Sequence, residues 1–368
     1  MTATLPREEP GRLRAPASQR ARVAHRRLLR SDGLTAAVLV AVMAFTVVRG
    51  SDLTTTTVLN FGLFILLVAS LQLMHGFTNQ ASLTQAGIYG IGAYVSVYVE
   101  VHAGLPPEVA FILAAVSGAL VGLIFAIPLT RLREHFLALG TLAAQVLLTE
   151  AFTHLTGLTG GINGEAVPDA HLNSITVLAV ILAVDLAVLV GISHLRVSRR
   201  GRQLLALRAD ETMASSVGVD VARLRIAVVA VSFSLAAMAG CLFTETAGYI
   251  SPDDFTLITS LAVLVAVIFG GRSLTWGTLV GAAAYSALNA QTASLPGLSA
   301  LILGVVLVAV LGYLPQGLTG IRLPARWARL SRTRSPSKGP DREPFGTVGS
   351  PPEADAPGPV APGADGDD

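Results

Sequence analysis

Three carboxylates lie inside long apolar runs of this sequence: Asp185, Glu150 and Glu245. A charge held at such a place is costly, and where one persists it serves an ion or proton, or bonds to a neighbouring helix. Asp185 is the deepest, near the middle of the run 174–194, and both readings fit it: an ion or proton site, or an interhelical hydrogen bond facing a bundle interior. No basic residue stands mid-run to pair with it. Glu150 and Glu245 lie nearer the ends of their runs, where wetting accounts for them. The rest of the chain is chemically quiet. Its seven histidines are scattered without metal-ligand spacing, so no metal site is expected. The one cysteine, Cys241, can supply neither a disulfide framework nor a thiolate metal site. There is no Gly-x-Ser-x-Gly, no His-Glu-x-x-His and no Gly-rich phosphate loop, so the chain carries no catalytic constellation and no ATP site of its own.

The elements that hold these carboxylates are set by lipid. Hydrophobic residues make up 52% of the 368 positions and charged residues 14%, and mean hydropathy is +0.62. Ten of the eleven basic residues between Gly33 and Ile321 fall in three short polar breaks: Arg131–Arg133, Arg196–Arg225 and Arg272. A spanning helix needs about 20 mostly apolar residues, and flanking Arg and Lys stay on the cytoplasmic side. The expected fold class is therefore all-α: a polytopic membrane protein of about ten transmembrane helices. The spans are 34–49, 56–74, 83–101, 108–130, 136–156, 174–194, 224–247, 256–270, 276–292 and 298–314. This count places every Arg-rich break and both termini in the cytoplasm, and the loop with Glu165 and Asp169 outside. The spans 34–49, 256–270 and 276–292 are short enough to be tilted, re-entrant or half-helices. Five spans on either side of the midpoint, entering from opposite faces, meet the condition for a 5+5 inverted-topology repeat. Residues 1–32, with eight arginines, and 322–368, rich in Pro, Gly and Ser, are expected to be disordered cytoplasmic tails around a membrane domain at 33–321.

Three stretches stand out within this frame. The cytoplasmic segment 196–223 can form a short helix or helix pair, with Leu204, Leu205, Leu207, Met213, Ala214 and Val217 on an apolar side and Arg202, Arg208, Asp210 and Glu211 on a polar one. Gly218 suits a helix stop. Taken alone, this segment fits a docking helix or an amphipathic linker on anionic lipid equally well. Asn79, Gln80, Ser82, Thr84 and Gln85 precede the dense run Gly87-Ile88-Tyr89-Gly90-Ile91-Gly92, a pattern that suits a lined pathway or a broken helix. Gly160-Gly161-Ile162-Asn163-Gly164 is an external loop or turn, and Gly118-x-x-x-Gly122 and Gly277-x-x-x-Gly281 are helix-packing pairs.

These residues carry a resemblance. Gly76-Phe77-Thr78-Asn79-Gln80-Ala81-Ser82-Leu83 followed by Tyr89-Gly90-Ile91-Gly92-Ala93-Tyr94 resembles a signature of the LivM-type permeases of branched-chain amino acid ABC importers. Thr159-Gly160-Gly161-Ile162-Asn163-Gly164 is similar to that family's external loop. Gly201-Arg202 through Gly218-Val219 is similar to its cytoplasmic loop. Gly248-Tyr249-Ile250-Ser251-Pro252-Asp253-Asp254-Phe255 and Phe269-Gly270-Gly271…Trp276-Gly277 match two later signatures in order. The resemblance spans roughly residues 55–320 and implies a non-enzymatic importer subunit. Its implied partners are a LivH-like second permease, two cytoplasmic ATPases that use the ATP, and an extracytoplasmic binding protein, with no nucleic acid and no cofactor on this chain. The implied cargo is a branched-chain or other small neutral amino acid, with urea or a short amide as the alternative. An ion-coupled secondary transporter using Asp185 is the competing class. The resemblance favours the docking reading of 201–218, with Gly201, Arg202, Leu205, Arg208, Asp210, Glu211, Ala214 and Gly218 as coupling residues. Asn79, Gln80, Ser82, Gly160, Gly161, Asn163 and Asp185 are the pathway candidates. The chain departs from the family where Gln145-Val146 and Thr149 replace a Gly-Glu pair and an Arg, and where Ser273 and Thr278 replace a Gly and a Pro.

Overall fold

A computed structural model of the chain describes residues 52–129, 134–167, 174–271 and 273–292, with single positions at 38, 41, 304 and 305. The expected spans 34–49 and 298–314, the break at 131–133 and both tails lie outside the described residues, those single positions apart.

Eight helices occupy the eight expected spans between 56 and 292. They are α1 (Asp52–Thr78), α2 (Gln85–Val97), α3 (Pro107–Leu129), α4 (Glu134–His154), α6 (Ser174–Val197), α9 (Val221–Thr244), α10 (Leu257–Gly270) and α11 (Trp276–Thr292). A one-turn helix, α5 (Thr156–Thr159), follows α4, and two short helices, α7 (Arg199–Ala209) and α8 (Glu211–Ser216), fill the Arg-rich break. α2 runs on as a π-helical turn, Tyr98–His102. Six helical stretches of the described chain are long and apolar enough to cross a membrane: Thr55–Thr78, Pro107–Pro128, Phe136–His154, Ile175–Val197, Val221–Thr244 and Pro252–Gly270. One departure from an all-α fold is a two-residue antiparallel ribbon, β1 (Glu165–Ala166) with β2 (Tyr249–Ile250). The Gly-rich loop ends there in extended backbone, and pairing satisfies its amides and carbonyls where no helix can.

Local chemistry sets the helix starts. Pro107 opens α3, a position where its missing N–H costs nothing. Asp220 caps α9 by accepting from Arg223 N, and Ser198 and Asp210 cap α7 and α8 in the same way. α9 is the hub, packing against α1, α2 and α3. Its crossing with α2 is set by bare backbone: a Cβ on Gly92 would overlap the Ala237 carbonyl, and one on Gly240 would overlap the Tyr89 carbonyl. The two predicted glycine pairs serve as packing pairs. Gly118 and Gly122 lie against Phe233 and Ala230 of α9, and Gly277 and Gly281 lie against Gly270 and Ala266 of α10.

The helix ends divide into two groups. α1, α6 and the start of α9 meet α7 and α8, and at the same end of α6 Ser193 Oγ lies 3.3 Å from Thr275 Oγ1, just before α11. At the other end, His102 stands 4.0 Å from Glu165, and Val167 N donates to Gly248 O at 3.3 Å.

Candidate functional site: a buried polar centre and an arginine-rich coupling surface

α2 begins inside the bundle. Its N-cap, Thr84, makes no side-chain cap, and the first N–H groups of a helix have no intrahelical acceptor. Other helices supply the acceptors. Ala86 N donates to Ser260 Oγ at 2.9 Å, and Gly87 N donates to Gln145 Oε1 at 2.8 Å. Leu83 N donates to Thr141 Oγ1 at 3.2 Å, while Thr84 Oγ1 donates to Thr141 O at 2.9 Å. Gln145 lies near the middle of α4 and serves both sides of this centre. Its Nε2 donates to Phe255 O at 2.8 Å, just before α10, and its Oε1 also accepts from Ser260 Oγ at 3.1 Å. The starts of two short helices, α2 and α10, therefore meet at one glutamine. A second strand of the network runs from Gln85 Nε2 to Ser232 Oγ (3.2 Å) and from Ser232 Oγ to Ser70 O (2.7 Å), tying α2 to α9 and α1. Toward the β-ribbon this centre is roofed by rings: Phe255 lies edge-on to Tyr89, Tyr94, Phe152 and Phe243, with centroids 5.5–6.2 Å away.

The pathway candidates scatter around this centre rather than forming it. Gln80 and Ser82 are buried in the link before α2, where Gln80 Oε1 accepts from Thr78 Oγ1 at 3.1 Å and Ser82 Oγ accepts from Thr84 N at 3.2 Å. Asn79 is exposed and holds φ +57°, a left-handed turn that ends α1. Gly160 and Gly161 also have positive φ and fold the Gly-rich loop back on α5. Asn163 contributes its backbone carbonyl, which accepts from the Tyr249 hydroxyl. Asp185 is far from these in sequence and only 1% exposed. It faces Gly62 of α1, and among the described residues neither of its oxygens has a hydrogen-bond partner. Of the two readings of this carboxylate, the interhelical hydrogen bond is not made among the described residues. Glu150 is exposed, 3.4 Å from His154.

The coupling candidates form a unit on the other group of helix ends. Gly201 lies against the Leu195 carbonyl, and Arg202 Nη1 donates to Val197 O at 2.7 Å, so α7 folds back on the end of α6. Leu205 packs on the core and Ala214 is buried. Asp210 ends α7 and caps α8 through Met213 N. Gly218 has φ +79°, the left-handed helix stop expected of it. The two faces differ from the sequence expectation in a specific way. Arg208, expected on the polar side, turns inward and donates to Gly76 O at the end of α1 at 2.5 Å. Glu211 pairs with Arg225 at the base of α9 at 2.8 Å. Met213 and Val217, expected on the apolar side, are 70% and 77% exposed. An amphipathic pattern reports which face is apolar but not whether this chain or another covers it.

Residues 53–311, well over half of the chain, match the family described as branched-chain amino acid transport system / permease component. The chain belongs to that family. It is 28% identical over 319 residues to the high-affinity branched-chain amino acid transport system permease protein LivM of Salmonella typhimurium, covering 78% of this chain and 74% of that one. The Escherichia coli LivM is 27% identical over the same shares. A probable LivH permease of Methanocaldococcus jannaschii is 26% identical over 298 residues, covering 75% of this chain and 93% of that one. No solved structure matches. This multi-pass permease is a transport component and not an enzyme. Sequence reading missed Gln145, Thr141, Ser232 and Ser260 as its centre because they are uncharged. The usable signal was a polar side chain well inside a span, and Gln145 entered only as a departure from the family.

Proposed function

We propose that this chain is one of two permease subunits of an ABC importer for branched-chain or other small neutral amino acids in the cell membrane. A LivH-like subunit pairs with it, two cytoplasmic ATPases drive it and an extracytoplasmic binding protein feeds it. The observation that carries this reading is the α7–α8 unit. It stands on the Arg-rich group of helix ends, is bonded to α1 through Arg208 and to α9 through Glu211, and leaves Met213 and Val217 uncovered. An apolar ridge fastened to two long helices suits a lever that fits a groove on an ATPase. The relatives named LivM and LivH support the pairing and the cargo.

Ten crossings with both termini and α7–α8 in the cytoplasm follow from the arginine distribution. Two matching units support an inverted repeat: α1, an irregular link and α2 in one half, and α9, an irregular link and α10 in the other. Each is a long helix, an irregular link and a short helix that starts at Gln145. A second reading, an ion-coupled transporter, draws on the unpartnered Asp185. Reconstitution of the chain with its partner permease, ATPases and binding protein in vesicles decides between them. ATP-dependent uptake of leucine or valine is expected. Uptake of urea alone would move the cargo to short amides, and uptake by this chain without ATPases, driven by an ion gradient, would replace the importer reading.

A further inference from the structure

The turn between α10 and α11 is fastened to the end of α1 that Arg208 grips. Gln72 Nε2 donates to Gly271 O at 3.1 Å and to Ser273 O at 3.2 Å. Those carbonyls follow the end of α10, where helix geometry provides no donor of its own. Gly76 lies one turn further along the same face of α1. A Cβ there would overlap the buried Leu274 side chain, so the turn is seated directly on α1. A Cβ on Gly277, at the start of α11, would lie 3.5 Å from Gln72 Nε2, and one on Gly270 would overlap the Gly277 carbonyl. The end of α10, the turn and the start of α11 thus form one compact body resting on Gln72 and Gly76. Arg208 of α7 donates to Gly76 O. A continuous chain of contacts therefore runs from α7 through the last two turns of α1 to the link between α10 and α11.

We infer that Gln72 is the positioning residue that transmits displacement of α7 to the α10–α11 turn, so that this turn moves with the coupling unit. Arg208 holds the end of α1, and Gln72 carries the movement across to Gly271 and Ser273. The inference rests on the ABC-permease reading above. Contiguity alone does not establish coupling, and a measured link between the two ends does. Among the described residues Gln72 Oε1 is buried without a partner; Gln72→Met removes that acceptor but also takes the donor from Gly271 O and Ser273 O, so insertion and assembly of the variant are measured first.

The test uses the whole importer in vesicles, with two readouts for Gln72→Met and Gln72→Asn. The first is cargo imported per ATP hydrolysed. The second is the rate at which Ser273→Cys, in a Cys241→Ser background, reacts with a small thiol reagent with and without ATP. With Gln72 intact, the complex is expected to import with ATP, and thiol reactivity at position 273 is expected to respond to nucleotide. Gln72→Met is expected to keep ATP hydrolysis, to lower import per ATP about fivefold or more, and to lose the nucleotide response at position 273. Should Gln72→Met not assemble, Gln72→Asn decides on the same readouts, because its shorter arm cannot span both carbonyls. Import and hydrolysis falling in equal proportion, or an unchanged ratio and nucleotide response, overturns the role of Gln72. Absence of ATP-driven import by the unsubstituted complex overturns the importer reading itself.

Discussion

Gln145 shows how much one uncharged residue can hold in an apolar bundle. It bonds to Gly87 N, Ser260 Oγ and Phe255 O, and so joins α2, α4 and α10. Gln145→Leu leaves the Gly87 N–H and the Ser260 hydroxyl without this acceptor in an interior that offers no water, and leaves Phe255 O to Thr149 Oγ1 at 3.2 Å. Each orphaned buried group costs roughly 1–3 kcal/mol. A drop in melting temperature of the detergent-solubilised protein is expected, and an unchanged melting curve would show that the two groups find other partners. Asp185 is the opposite case, conspicuous in the sequence yet without a hydrogen bond among the described residues. Asp185→Asn keeps its shape and removes its charge. If ATP alone drives import, the variant retains ATP-dependent uptake within about twofold, because no proton or ion needs the carboxylate. Collapse of uptake in the unsubstituted protein on adding an uncoupler at constant ATP would instead favour the ion-coupled reading. Charge made Asp185 legible in the sequence. Partnership, which depends on which residues face each other, was not.

At the scale of elements, the α7–α8 unit was visible as a pattern but its fastenings were not. The caps at Ser198, Asp210 and Asp220 and the stop at Gly218 are local chemistry, and local chemistry can be read from sequence. Arg208 to Gly76 and Glu211 to Arg225 join residues 132 and 14 positions apart. No periodicity encodes such pairs. The Glu211–Arg225 pair makes a sharp distinction possible. Glu211→Lys places like charges together at the joint between α8 and α9, and is expected to reduce ATPase association or substrate-stimulated hydrolysis. Arg225→Glu added to it restores the pair with reversed signs. Recovery of co-purification and hydrolysis in the double variant is the expected result, because the contact lies within this chain. Failure to recover, with both variants inserted normally, would place the partner of Glu211 on an ATPase instead. Glu211 is half exposed but Arg225 only 14%, so normal insertion and melting of each variant are checked beside co-purification.

For the whole molecule, lipid made the helices legible and protein packing hid their depth. An apolar run of span length looks the same whether it crosses fully or starts halfway. Eight helices stand where the runs predicted them, yet that α2 and α10 begin at a buried glutamine follows only from contacts between elements. The same contacts group the helix ends. α7, the start of α9 and the α10–α11 turn are gathered at one end of α1. The loop at 157–167 pairs with Tyr249–Ile250 beside the far end of α2. In the topology proposed above, arginines retained on the cytoplasmic side during insertion put the first group inside. Arg200 and Asn163 are both exposed, one in each group, so each can be replaced by cysteine in a Cys241→Ser background without disturbing the interior. In intact cells, an impermeant thiol reagent is expected to label the cysteine at 163 and to spare the one at 200. In inside-out vesicles the order reverses. Labelling of both from the same face would mean that the two groups of helix ends do not lie across a membrane from each other, and the ten-crossing topology would fall with it.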